Sequence, residues 1–213
     1  MLIQKIRSDI PLLIILIISI FLRSYKLSTT PPVNSDEAAL AYNAFSLLET
    51  GKDEHGISWP LHFKSFGDYK PGGYVYLSLP FIKILGLNTL AIRLPNLILS
   101  VLSIYFFYKL VSLLSIRTLG FYSTIVLSLS PWHIHFSRGA WESCTALSFT
   151  IIAIYLFYSY ILNLPRQRRG RKTYFYLYLS ILFFSLSLYT YHSARLITPL
   201  IIIFLFVQNF KTL

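Results

Sequence analysis

Asn163-Leu164-Pro165-Arg166-Gln167-Arg168-Arg169-Gly170-Arg171-Lys172-Thr173 holds five basic residues between two apolar blocks, 143–163 and 174–190. Short loops rich in Lys and Arg stay in the cytoplasm, so this stretch orients the chain. The N-terminus, with Lys5 and Arg7, and the loop with Lys109 and Arg117 belong on the same side. These three segments agree when the chain crosses at about 9–25, 91–113, 118–135, 143–163, 174–190 and 196–209. A further apolar stretch, 72–87, contains Pro80 and Lys83 and is shorter than the roughly 20 residues a span needs. If it crossed, the basic stretch would fall outside the cytoplasm. The expectation is therefore an all-α, polytopic transmembrane helix bundle of about six spans. The 72–87 stretch lies as a juxtamembrane or re-entrant helix on the outer side.

Composition agrees. Hydrophobic residues make up 55% of the chain and charged residues 13%, against the roughly 25% charged of a soluble domain. Mean hydropathy is +0.60. The net charge of +11 does not indicate nucleic acid, because the basic residues sit in short segments between apolar blocks. Cys144 is the single cysteine, which excludes an intrachain disulfide. The first apolar block, Pro11 to Leu22, is not followed by a small-residue cleavage site, so it reads as a retained span. The expected location is the cell membrane, multi-pass, with a cytoplasmic N-terminus.

The first outer loop, about 26–90, holds six of the eight acidic residues. Within it, 35–50 reads as a surface helix. Asn34 and Glu37 have capping-box spacing, Gly51 is a stop, and Leu40, Ala44, Leu47 and Leu48 form an apolar stripe. The remainder, 51–73, is rich in Gly, Asp, His and Pro and reads as irregular.

Four constellations fall on the outer face. Asp36 and Glu37 follow the first span, where a carboxylate can accept a proton from a hydroxyl at the membrane boundary; acids are equally favoured there by the helix dipole. Lys70, before Pro71-Gly72-Gly73, is placed to bind a phosphate as a point charge; it also fits a snorkelling interfacial lysine. Arg138 and Glu142 lie in the segment 131–142 between two spans. Arg138 offers a planar fork for phosphate; a helix-start ion pair beside an interfacial Trp belt is the alternative. Tyr191-His192-Ser193-Ala194-Arg195 closes the fifth span, with an aromatic interfacial belt as its alternative. His55, His62, His133 and His135 match no metal-ligand spacing. The joint placement of Asp36, Lys70, Arg138, Glu142 and Arg195 on one face fits the handling of an anionic lipid headgroup. A transporter or an accessory membrane subunit without chemistry is the competing class.

These residues resemble the GT-C membrane glycosyltransferases, especially the protein O-mannosyltransferase-like (glycosyltransferase family 39) and aminoarabinose-transferase-like members. The resemblance covers nearly the whole chain. Asp36-Glu37 is similar to the acidic motif of the first outer loop in that superfamily. Asp68-Tyr69-Lys70-Pro71 is similar to its Lys-Pro segment, and Ser137-Arg138 with Glu142 to its second outer loop. Residues 191–196 followed by Pro199 are similar to bacterial members. Two departures stand out. Many relatives carry a second proline at the place of Gly72, and members continue through further helices, often into a C-terminal domain. Residues 1–213 are therefore expected to form the N-terminal part of a single GT-C-type domain.

The resemblance implies a sugar transferred from a polyprenyl-phosphate donor to an acceptor hydroxyl of a protein, lipid or glycan, with inversion, outside the membrane. It implies Asp36 as general base, with Glu37 beside it at the catalytic position. Lys70, Arg138 and Arg195 would stabilise the leaving phosphate, and Glu142 and His192 would contact substrate. No cofactor is expected, because fixed cations replace a metal. The bilayer and the lipid-linked sugar are the expected partners.

Overall fold

The computed structural model describes residues 2–65, 67–163 and 171–210. Residues 164–170 of the basic stretch that orients the chain lie outside this set. Among the described residues the chain forms nine helices and one small hairpin: α1 (Leu2–Ser24), α2 (Ser35–Thr50), β1 (His62–Ser65), β2 (Asp68–Pro71), α3 (Gly73–Leu85), α4 (Thr89–Leu114), α5 (Arg117–Leu129), α6 (Pro131–Ser137), α7 (Glu142–Asn163), α8 (Arg171–Thr190) and α9 (Ala194–Asn209). The all-α class holds, apart from that hairpin.

Two helices, α4 and the Glu142–Leu162 part of α7, are long and apolar enough to cross a membrane. Apolar helical stretches of 10–17 residues occur at Ile10–Ser24, Gly73–Leu85, Tyr174–Thr190 and Ala194–Asn209. The expected span 118–135 is not continuous. It divides into α5 and α6 at Ser130-Pro131. Proline has no N–H and its ring collides with the carbonyl four residues back, so an apolar run cannot pass through it as an undisturbed helix. Pro131 instead opens α6, and the Ser130 hydroxyl accepts a bond from the His133 N–H.

A buried arginine fastens this break to α1. Arg23 donates to the carbonyls of Ser19 and Ser128 and, at 2.9 Å, to His133 Nδ1. Arginine only donates, so His133 Nδ1 is the acceptor in this pair. Ser19 and Ser128 also hydrogen-bond directly between α1 and α5.

The surface helix forms over the expected residues. The Asn34 side chain accepts from the Glu37 N–H at 2.8 Å, and the Glu37 carboxylate accepts from the Asn34 N–H at 3.4 Å. Gly51 ends α2 at φ +69°, a left-handed position that glycine adopts without a Cβ clash. Leu40, Ala44 and Leu47 turn into a core shared with Phe63, Tyr74 and Ile92, which seats α2 on α3 and α4. At the other side of the bundle, Ala153, Phe184 and Leu205 join α7, α8 and α9. Hydroxyls support that packing: Thr150 and Ser187 share a bond of 2.9 Å, and Ser180 donates to the Ala153 carbonyl at 2.8 Å. Small residues and interhelical hydrogen bonds of this kind hold helices together where lipid offers no hydrophobic contrast.

The stretch 51–73, expected to be irregular, contains the antiparallel hairpin. Phe63 pairs with Lys70 and Lys64 with Tyr69. Phe63 and Lys70 therefore share one face, with Phe63 buried in the core.

Candidate active site

The four constellations expected on the outer face gather at one end of the bundle, where α1 and α8 end and α2, α4, α7 and α9 begin. At its mouth, the Lys70 ammonium donates to Asp36 Oδ1 at 2.6 Å. The lysine side chain is 17% exposed and the aspartate 50% exposed, so the pair sits at the edge of solvent. The two residues are far apart in sequence. The capping box fixes the first turn of α2, and the hairpin fixes Lys70 opposite it.

Glu142 opens α7 and lies within electrostatic reach of both Lys70 and Asp36. Its Oε1 is buried without a hydrogen-bond partner among the described residues. A buried, unsatisfied carboxylate oxygen is costly. Asp36, Lys70 and Glu142 thus converge as two acids and one cation.

Glu37, the next residue after Asp36, turns the other way and is buried. Arg93 grips it with two bonds, Nε to Oε1 at 2.8 Å and Nη2 to Oε2 at 2.7 Å. The Ala140 N–H donates to the same Oε1 at 2.7 Å. Arg93 also donates to the carbonyls of Leu27 and Pro32. This knot binds α2, α4, the turn after α1 and the loop before α7. Asn96, one helical turn beyond Arg93, supports that loop from below. Its amide donates to the carbonyls of Phe136 at 2.8 Å and Gly139 at 2.7 Å, and its oxygen accepts from Thr145.

Arg138 is not joined to the Asp36–Lys70 pair by any hydrogen bond described here. It donates to the carbonyls of Leu22 at 2.7 Å, Tyr25 at 2.7 Å and Thr30 at 3.0 Å, closing the end of α1. Burial and the nearby Arg93 cation hold its pKa below the usual arginine value. Arg195 and His192 lie against the hairpin. Arg195 Nη2 donates to His62 Nε2 at 2.9 Å, and His192 Nε2 stands 4.0 Å from Asp68 Oδ2.

Gly72 and Gly73 mark the closest approach in this region. A Cβ on Gly72 would lie 2.8 Å from the Tyr189 hydroxyl and 2.9 Å from the Leu61 carbonyl; one on Gly73 would lie 2.7 Å from the Tyr189 carbonyl. The Gly72 N–H also donates to Leu61. A proline at 72 would lose that bond and meet the Tyr189 hydroxyl and the Phe63 ring, so Gly72 suits this chain's own packing. Among the described residues, no three His, Cys, Asp or Glu side chains form a metal-ligand set.

Arg93 and Asn96 were not among the residues that sequence reasoning singles out. Their signal was present: Arg93-Leu94-Pro95-Asn96 places a charge and an amide inside an otherwise apolar helix, where such groups are costly and mark a specific partner.

The profile of the dolichyl-phosphate-mannose-protein mannosyltransferase family matches residues 70–213. The chain belongs to this family. Its members are membrane-embedded glycosyltransferases. Lys70, Arg138, Glu142, His192 and Arg195 fall within the matched stretch, whereas Asp36 and Glu37 precede it. No curated protein and no solved structure matches the chain.

Proposed function

We propose that the chain carries the donor-phosphate and acceptor site of a glycosyltransferase that moves a sugar from a polyprenyl monophosphate to an acceptor hydroxyl, with inversion, on the outer face of the cell membrane. The observation that carries this reading is the Asp36–Lys70 pair at the mouth, with the unsatisfied oxygen of Glu142 beside it. In this reading α1, α4, α7, α8 and α9 cross the bilayer, and α5 with α6 makes a sixth, broken crossing.

The chemistry follows from the charges. A donor phosphate oxygen competes with Asp36 for the Lys70 ammonium. Asp36, once released, accepts the proton of the acceptor hydroxyl. The acceptor oxygen forms its bond to the anomeric carbon as the bond from that carbon to the phosphate oxygen breaks. The electron pair leaves on the phosphate, where Lys70 meets the growing charge. Glu142 Oε1 holds the acceptor by receiving a second hydroxyl hydrogen bond. Glu37 acts through Arg93 as a positioning residue, keeping Asp36 at the mouth. Arg138 positions the loop before Glu142 by tying it to α1, and Arg195 with His192 holds the hairpin that carries Lys70.

The test is donor retention and transfer by the protein in phospholipid vesicles, using polyprenyl-phosphate sugar labelled in the sugar. Lys70→Ala should lose retention of the labelled donor. Glu142→Gln should retain donor but raise the acceptor KM. Wild-type donor retention and transfer in Lys70→Ala would remove the proposed phosphate site.

A further inference from the structure

One exposed feature of the outer loop is not used by this chemistry. Between α2 and the hairpin, Ile57, Trp59 and Leu61 are 50%, 53% and 68% exposed. Three large apolar side chains are thus exposed within five residues of one loop. Solvated loops seldom display such a row.

The row is held rigidly. Lys52 and Ser58 form a bridge at its base, and the Trp59 N–H donates to the Gly51 carbonyl. Trp59 itself has φ +44°, a left-handed conformation uncommon for a bulky side chain. Its indole stacks on Tyr76 at 6.2 Å and 17° between planes, and Tyr76 stacks on Tyr189 at 6.5 Å and 21°. Tyr189 lies in the last turn of α8. The Arg195–His62 bond ties the same segment to the start of α9. There Leu196, Leu200, Ile203 and Val207 follow at helical spacing and are all exposed. In a membrane-embedded protein that stripe is a lipid-facing surface. The Trp59–Tyr76–Tyr189 stack and the Arg195–His62 bond bring residues 57–61 next to the start of that stripe, with a tryptophan and an arginine at the junction, the residue types that settle at headgroup level.

We propose that residues 57–61 are a membrane-interface anchor: Ile57, Trp59 and Leu61 insert among the phospholipid headgroups of the outer leaflet, beside Arg195. The anchor sets the depth of the hairpin, and thereby of Lys70, which is paired across the hairpin with Phe63. The partner is the lipid surface itself. The inference rests on the outer-face placement of this loop and not on the transfer reaction.

The test is depth measurement on the full chain in phospholipid vesicles. Cys144 is buried, so a nitroxide placed by Leu61→Cys is selective. Its collision rate with oxygen should exceed that with a water-soluble nickel complex, whereas the same label at Lys52→Cys should favour nickel. Equal, nickel-favoured accessibility at both positions would overturn the anchor. A second reading leaves residue 61 unaltered: in Trp132→Phe/Trp141→Phe, the remaining Trp59 fluorescence should be quenched by lipids spin-labelled at the headgroup and shielded from iodide. Free iodide quenching without lipid quenching would likewise overturn it. Donor retention and transfer by the unlabelled chain report separately on the proposed chemistry.

Discussion

Asp36 and Glu37 are adjacent carboxylates with opposite surroundings. Glu37 faces inward, fully buried, with three donor groups from Arg93 and Ala140 around it. Asp36 faces outward to a single lysine and is half exposed. The difference is geometric. Successive residues on a helix point about 100° apart, so the first turn of α2 sends one acid to the core and the other to the mouth. A charge pair that is buried and saturated builds a scaffold, because removing either partner strands the other in a dry place. A charge pair at the surface contributes little to stability, but its members are free to exchange partners with a ligand.

The contrast can be broken most severely at Arg93. Arg93→Ala leaves the buried Glu37 carboxylate without its two strongest donors and should cost about 3–5 kcal/mol, read as loss of folded protein after extraction or as a large fall in melting temperature. A destabilisation under about 1 kcal/mol would show that the knot is not structural. Next is Asn96→Ala, which leaves the carbonyls of Phe136 and Gly139 short of a donor and should cost about 1–3 kcal/mol. Its effect should extend to Glu142, since the loop that Asn96 holds at Gly139 leads directly into the start of α7; accelerated hydrogen exchange at 138–142 is the measurement. Gly73→Ala drives a methyl against the Tyr189 carbonyl and should cost about 1–3 kcal/mol. Gly86→Ala, where no atom lies within 4 Å of the added carbon, isolates backbone strain at φ +77° and ψ 176° and should also cost about 1–3 kcal/mol. Smallest of all is Arg195→Ala. Its bond to His62 is exposed, so stability should change by about 1 kcal/mol or less.

Legibility in the sequence followed the range of the interactions. The surface helix α2 was readable because its signals are local: Asn34 and Glu37 stand three residues apart, and Gly51 ends the apolar stripe. The helix α3 formed within the stretch 72–87, whose short length and Pro80 had set it apart from the longer apolar blocks. The break between α5 and α6 had its cause in view at Pro131, but the apolar run on both sides of it read as one span. The hairpin was hidden because its strands are four residues long and include Asp68, Lys70 and Pro71, residues that favour loops. The Glu37–Arg93 knot was out of reach for another reason. Capping explained Glu37 completely at short range, and no spacing rule connects it to a partner 56 residues away. Lys70 meeting Asp36 at one mouth was legible only as shared placement, since both acid and cation fall in the segment between α1 and α4 that the sequence assigns to one side. Arg138 shows the limit of that reasoning: it reached the expected end of the bundle, yet its donors go to the carbonyls of Leu22, Tyr25 and Thr30.

The division of labour between the two neighbouring acids is tested most directly by Asp36→Asn and Glu37→Gln, prepared side by side and assayed for both melting temperature and sugar transfer. Asp36→Asn should melt within about 2–4 °C of the parent, as expected for about 1 kcal/mol or less. Its transfer should fall about 10²–10⁴-fold, whereas Glu37→Gln should lose folded protein and activity together. Transfer at the parent rate by folded Asp36→Asn would contradict the account.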